Sequence, residues 1–483
     1  MTDAATAADL MFRPASELAD LVRDGEITAR ELVEASLSRI DTLNPVYNAF
    51  IDVFHEEALL AADAVKPGDE RPLAGVPIAI KNNRPVEGKR FTFASSFFGD
   101  FSAPLEWIGV TRLREAGAII VGTTNLPEFG IVATTEPRRF GATRNPWDPT
   151  RTPGGSSGGA AAAVAAGMIP IAHANDGGGS TRIPASCCGL VGLKVQRGRI
   201  SAAPVLGYSF LGVDGVVSRT TRDTAVALDV LAGHALGDVA WATPSRTPFV
   251  TQTAEEPQGL RIAMTSLTPI DTSTVDPRVT EALHESAALL RDLGHEVIED
   301  DPPWRIPGIL EQFGILWSPM ASTQTAFGAQ VAGREPTLED IEPLTMAMYE
   351  AGRGIDAVTY LGTEMMLQGV ARAMVQWTAQ YDAVLCPTLA ELPVPLGTIE
   401  TCNQADPMAG FLRAAEFTPY CAISNLTGSP AISVPLDHDA DTGLPIGIQL
   451  IGQPEGEGVL LALSEQLETA RPWLGRRAPV EVG

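Results

Sequence analysis

The sequence predicts an α/β protein organised on a central, mostly parallel or mixed β-sheet covered by helices. Short apolar runs of strand length alternate with segments of helical period along the chain. No internal repeat and no long charge run divides the 483 residues. Hydrophobic residues make up 45% and charged residues 19%, the balance of a globular protein with a large core.

The elements follow in order. Residues 14–65 read as helical, with Ser16 as a capping residue at the first start. Thr28-Ala29-Arg30-Glu31 has capping-box spacing ahead of Leu32, Val33, Leu37 and Ile40. Asn44-Pro45 is expected to end that helix. A short strand over Asn48–Val53 and a helix through Ala64 come next. Leu73–Asn83 reads as a buried strand that turns polar at Lys81, and Glu106–Gly117 as a helix before a strand at Ala118–Gly122. Strands are expected at Met168–His173, Leu260–Thr265, Glu296–Ile298, Ala383–Cys386, Ile432–Pro435 and Ile446–Ile451. Helices are expected over Pro277–Leu293 and near Val459–Ala470. The chain reads as one domain, 1–483, in four stretches: a helical segment 1–65, a catalytic core 66–300, a lobe 304–401 and a completion of the core 402–483. The lobe is the least regular part, rich in methionine and holding Trp304, Trp317 and Trp377. It suits a cover over an active site.

Composition excludes several functions. A net charge of −25 opposes nucleic-acid and anionic-membrane binding, because a phosphate backbone needs a basic face. No apolar run reaches membrane-spanning length, since Ala160–Ala172 is broken by Gly167 and Pro170. The N-terminal MTDAATAADLMFRP lacks a basic-then-apolar signal pattern, which favours the cytoplasm. Cys187, Cys188, Cys386, Cys402 and Cys421 form no CxxC pair, so buried free thiols are expected, with neither a metal nor a cofactor.

The chemistry concentrates between Thr152 and Gly189. Gly154-Gly155-Ser156-Ser157-Gly158-Gly159 and Gly177-Gly178-Gly179-Ser180 bracket an alanine-rich segment. Glycine at that density costs chain entropy, and around a serine it can aim backbone N–H groups at a bound atom. A phosphate loop would need GxxxxGK[ST], and a dinucleotide fingerprint GxGxxG after a strand; neither is present. A histidine-based triad has only His173 nearby, better read as a core histidine, and no GxSxG elbow surrounds Ser180. A Ser–Lys arrangement fits better. Lys81, at the end of an apolar strand, is the leading base because desolvation lowers a lysine pKa; Lys194, after Leu190–Leu193, is its rival. Lys66 and Lys89 read as solvated.

These residues resemble the amidase signature family. The match is carried by Gly75-Val76-Pro77-Ile78-Ala79-Ile80 before Lys81, by residues 154–159, and by Asp176 through Ala185. It extends to Gly122–Glu128, Gly141–Trp147 and Gly443–Gln449, and thus covers nearly the whole chain. Ser156 and Ser180 lie 24 positions apart, the family's separation of its two serines. The resemblance implies a mixed sheet covered on both faces by helices, and a Ser–cis-Ser–Lys triad. Ser180 would be the acylated nucleophile, Ser156 the bridge after a cis peptide, and Lys81 the base. The N–H groups of Gly177, Gly178, Gly179 and Ser180 would form the oxyanion hole. Gly130 and Ile131 would contact substrate. Asp176 and Arg182 would form an ion pair supporting the loop, and Ser157 would cap the alanine-rich helix. Two departures stand out: Asn82 where the family usually has Asp, and Gly178 where Thr is common.

Within the family, HANDGGGSTRIPAS and TTEPRRFGATRNPW are most similar to nylon-oligomer, aryl-acylamide and urethane hydrolases. The implied partner is a small-molecule amide or carbamate, with esterase side activity, on a monomer or homodimer. The alternative is the glutaminase component of a tRNA-dependent amidotransferase, which shares the signature.

Overall fold

A computed structural model describes residues 9–480. Residues 1–8, part of the stretch behind the cytoplasmic expectation, lie outside the described residues.

Eleven strands form one sheet. In chain order they are β1 (Phe50–Val53), β2 (Pro77–Lys81), β3 (Ile119–Thr124), β4 (Ile171–Asp176), β5 (Val191–Lys194) and β6 (Val213–Ser218). They continue as β7 (Arg261–Met264), β8 (Glu296–Glu299), β9 (Ala383–Pro387), β10 (Ala431–His438) and β11 (Pro445–Gly452). Their spatial order is β1-β3-β2-β4-β6-β5-β10-β11-β9-β7-β8. The sheet is mixed: β2 runs parallel to β3 and β4, and β7 to β8 and β9, while β4–β6, β5–β6, β5–β10 and β10–β11 are antiparallel.

Every residue of β2, β3, β5, β6, β9 and β11 is buried. A strand buried on alternate side chains in both directions is covered on both faces, as expected. The small residues of the helix Gly158–Ala165, alanine and glycine with one valine, follow from the same crowding. Each of its residues is buried, and a Cβ on Gly159 would stand 2.4 Å from the Asn125 nitrogen. No helix among the described residues is long and apolar enough to cross a membrane.

Distant contacts partly overrule local signals. The Thr28–Glu31 capping box forms, with Thr28 Oγ1 accepting from Glu31 N and Glu31 Oε2 from Thr28 N. Ser16 does not cap the first helix, Ala15–Arg23. Asp223 does, accepting from the N–H groups of Ala15 and Ser16 and from Ser16 Oγ. Asn44-Pro45 does not end its helix, which runs on to Tyr47. Proline lacks one N–H and here sits in the last turn, while Asn48 closes the end in the left-handed region. The strand expected at Met168–His173 is Ile171–Asp176, so His173 lies inside it rather than at its end.

Candidate active site

The end of β2 and the end of β4 lie side by side in the sheet, and the residues expected to carry the chemistry gather where they stop. Lys81 is the last residue of β2 and is fully buried. Its Nζ lies within hydrogen-bond distance of Ser156 Oγ, at 2.7 Å, and donates to Asn175 Oδ1 at 2.7 Å. Burial drives its pKa well below the ordinary lysine value, and Arg84 adds to that, while Asp214 and Asp176 pull the other way. Ser156 follows a cis peptide bond after Gly155. Gly130, at φ +70°, lies so close that a Cβ there would stand 3.2 Å from Ser156 Oγ.

Ser180 follows β4 across the glycine loop. Ser157 N donates to Ser180 O at 3.2 Å, which draws the two serine segments together. Asp176 and Arg182 form the fully buried ion pair that the sequence suggested, 2.9 Å apart. Burial alone would raise Asp176, but the Arg182 charge and its hydrogen bonds hold the carboxyl down at about 2. Asp176 Oδ1 accepts from Gly179 N at 2.8 Å and Oδ2 from Thr181 N at 3.3 Å, so the pair pins the loop by its backbone. This modifies the expected donor set. The Gly179 N–H is committed to Asp176, whereas those of Gly177, Gly178 and Ser180 have no acceptor among the described residues.

Ser157 sits at the start of the helix Gly158–Ala165 without capping it. Its Oγ instead donates to Asn175 O and accepts from Asn175 N, at 3.3 and 3.4 Å. Lys194, the rival base, is equally buried and its pKa falls to about 7. Its Nζ, however, donates to the carbonyls of Val195 and Ser429, with no serine side chain as partner. Lys89 is not free in solvent but pairs with Glu57. The five cysteines are free, and Cys402 is exposed.

Gly130, Ile131, Gly178 and Ser180 line one pocket, walled by Phe313 and Trp317 of the helix Ile309–Ala332 and by Phe411, Ala422 and Ile423. The two rings stack with centroids 5.1 Å apart, and Trp317 Nε1 donates to Ile131 O. None of the lining side chains is charged. An adjoining cavity of about 600 Å³ shares Pro269, Ile270, Ile309, Leu310 and Phe411 with it. The pocket wall thus uses only the first part of the 304–401 lobe, and residues 411–426 together with Pro269 and Ile270 contribute to it from outside the lobe. Trp304 lies elsewhere, in a second core with Tyr381 and Tyr420, and Trp377 packs against that core.

Several groups escape the sequence. Arg84 grips Asp214 of β6 with two hydrogen bonds of 2.9 Å, and Asp214 Oδ1 also meets His173 Nε2 at 3.2 Å. His173 Nδ1 accepts from the backbone N of Lys81, and burial keeps its pKa low. This neutral histidine fixes the strand at Lys81. Glu128, pushed up to about 8 by burial and by Glu342, ties the Gly130 segment to Thr345 and Ser95. Asn82 turns away from Lys81. Its Nδ2 donates to Arg90 O and Thr123 Oγ1, and its Oδ1 accepts from Thr92. A carboxylate could not make those donations.

The Amidase family model matches residues 31–461. The chain belongs to the amidase signature family. A 6-aminohexanoate-cyclic-dimer hydrolase of Paenarthrobacter ureafaciens is 34% identical over 492 residues, covering 97% of this chain and 96% of the relative. A solved 6-aminohexanoate cyclic dimer hydrolase superposes with a TM-score of 0.93 at 32% identity, covering 97% of this chain and 99% of that one. A bacterial aryl acylamidase gives a TM-score of 0.85 at 27% identity, with 97% and 99% covered. A glutamyl-tRNA(Gln) amidotransferase component from Thermotoga maritima gives 0.80 at 29% identity, with 98% and 99% covered. This chain is an amidase, a hydrolase of amide C–N bonds.

Proposed function

We propose that this amidase cleaves secondary amides, anilides and carbamates among them, whose acyl or aryl part is apolar, through an acyl-enzyme on Ser180. The observation that carries the proposal is the uncharged aromatic pocket lined by Ser180, beside a 2.7 Å contact between buried Lys81 and Ser156. Desolvation favours the neutral form of Lys81, an amine with a lone pair. It takes the Ser156 proton as Ser156 takes that of Ser180, and Ser180 Oγ attacks the carbonyl carbon. The oxyanion develops toward the N–H groups of Gly177, Gly178 and Ser180, in a water-poor site where such donors act strongly. As the tetrahedral centre collapses, Ser156 returns a proton to the departing nitrogen, because an amide anion leaves poorly. Water then attacks the acyl carbon by the same relay and frees Ser180.

The proposal agrees with the names of the relatives, which act on a cyclic aminohexanoate dimer and on aryl acylamides. The glutaminase alternative fits less well. Free glutamine carries an ammonium and a carboxylate, and no charged side chain lines the pocket to meet either. Esterase side activity follows from the same acyl chemistry.

Two results are expected. The rate of a lysine-base enzyme rises with pH, since only the deprotonated amine accepts a proton. Burial lowers the Lys81 pKa, so the acid limb of kcat/KM should fall below the ordinary lysine range, with about tenfold loss per pH unit beneath it. Lys81→Met should abolish that limb together with the activity. The second concerns Gly178, where a Cβ would meet Phe313 at 3.6 Å and Trp317 at 3.8 Å. Both are ordinary contacts, so the threonine Cβ fits, and in Gly178→Thr it is the γ methyl and hydroxyl that take up pocket space, raising KM about 10–100-fold for anilides of bulky acids while sparing acetanilides. Comparing both substrate sets on wild type and variant tests the substrate class. Hydrolysis of small primary amides alone would contradict it.

A further inference from the structure

Lys81 meets a carboxamide where a charged lysine would ordinarily meet a carboxylate. One N–H of Nζ goes to Asn175 Oδ1 at 2.7 Å. Asn175 is itself held: its Nδ2 donates to Asn83 Oδ1 at 2.8 Å, and Asn83 Nδ2 returns to Asn175 Oδ1 at 3.3 Å. The Asn175 backbone is clasped on both sides by Ser157 Oγ. These two asparagines are 92 positions apart, on β4 and just past β2, and both are half-buried.

We infer that Asn175, steadied by Asn83, is a positioning residue that keeps Lys81 a neutral base with its lone pair turned to Ser156. The inference rests on the roles proposed above for Lys81 and Ser156. A neutral amine has two N–H donors and one lone pair. Fixing one donor on Asn175 Oδ1 restricts rotation about the last side-chain bond, so the lone pair can be directed at the Ser156 hydroxyl. An amide oxygen supplies that hydrogen bond without a full negative charge, which would hold the proton on Lys81.

The other charged or titratable groups acting on Lys81 are already compensated. Asp214 is paired with Arg84 at 2.9 Å, and Asp176 with Arg182 at 2.9 Å. His173 is held neutral by burial. An uncompensated carboxylate at position 175 would therefore be a new charge in direct contact with Nζ.

The test uses full-length wild type, Asn175→Asp, Asn83→Asp and Lys81→Met. Its probe is the second-order rate of labelling by an alkyl fluorophosphonate across pH, which does not depend on knowing the natural substrate. Asn175→Asp is near-isosteric and should move the acid limb up by about one to three pH units, with the rate recovering to within about tenfold of wild type above it. Asn83→Asp, one hydrogen bond further out, should move the limb the same way by less. A uniform loss of rate with the limb unmoved in both variants would overturn the inference and leave a structural role only. Should Asn175→Asp not fold, an unmoved limb in Asn83→Asp alone overturns it. Lys81→Met labelling at the wild-type rate would instead overturn the base assignment beneath it.

Discussion

Ser180→Ala is expected to lower kcat/KM on any amide substrate by about 10⁵–10⁶-fold, the scale seen when an acyl-transfer nucleophile is removed. The side chain lines the apolar pocket, and its segment is tied to Ser157 and Asp176 by backbone contacts that alanine keeps. Stability should change little, and the substrate's KM should stay within a few-fold, because the hydroxyl is small and only 8% of the residue is exposed. Ser180→Ala combined with Lys81→Met should be no slower than either alone, since residues that act as one unit do not contribute additively. Steady-state kinetics on the three proteins, with protein folding checked by denaturant unfolding, read both parts. Wild-type-like turnover in Ser180→Ala would remove the nucleophile assignment.

The second large effect is structural. Arg182 makes its hydrogen bonds inside the protein: to Asp176, Asn425 and Gln449 side chains and to Cys421 O, at 2.6–3.0 Å. It links the glycine loop to β11 and to the helix Ala422–Thr427. Arg182→Met is expected to destabilise the fold by about 3–5 kcal/mol, because Asp176 is left buried and unpaired. Asp176→Asn added to it should recover part of that loss by removing the charge. Arg182→Lys should not rescue, since an ammonium cannot serve a carboxylate, two carboxamides and a carbonyl in one plane. Urea midpoints at a fixed m-value measure this directly, and a loss below about 1 kcal/mol for Arg182→Met would contradict the role given to the pair.

What the sequence reveals at this site depends on whether the signal is local. Lys81 is visible because an apolar strand ends on it, and the two serines because glycines crowd them. The Asp176–Arg182 pair is visible at a spacing of six residues. The supports that make Lys81 useful are not. Arg84 and Asp214 are 130 positions apart, and His173 reaches the Lys81 backbone across 92. Asp223 caps a helix 207–208 positions away, where a nearby serine looks sufficient. Asn82 reads in the sequence as a missing charge, yet its role is to donate hydrogen bonds that an aspartate could not. The sheet is largely legible for the same reason as Lys81, whereas β5, which reads only as an apolar segment before Lys194, and β6, whose apolar run Asp214 and Gly215 interrupt, are not anticipated as strands. The pocket wall is half-legible: Trp317 lies in the expected lobe, but Phe411 and Ile423 arrive from beyond it.

The central claim is that Ser180 carries the acyl group. Intact mass spectrometry after exposure to an alkyl fluorophosphonate tests it most directly. The wild-type chain is predicted to gain one adduct, mapped by peptide analysis to Ser180, and Ser180→Ala to gain none over the same time. A stoichiometric adduct on the alanine variant, or a wild-type adduct mapped to Ser156 instead, would contradict it.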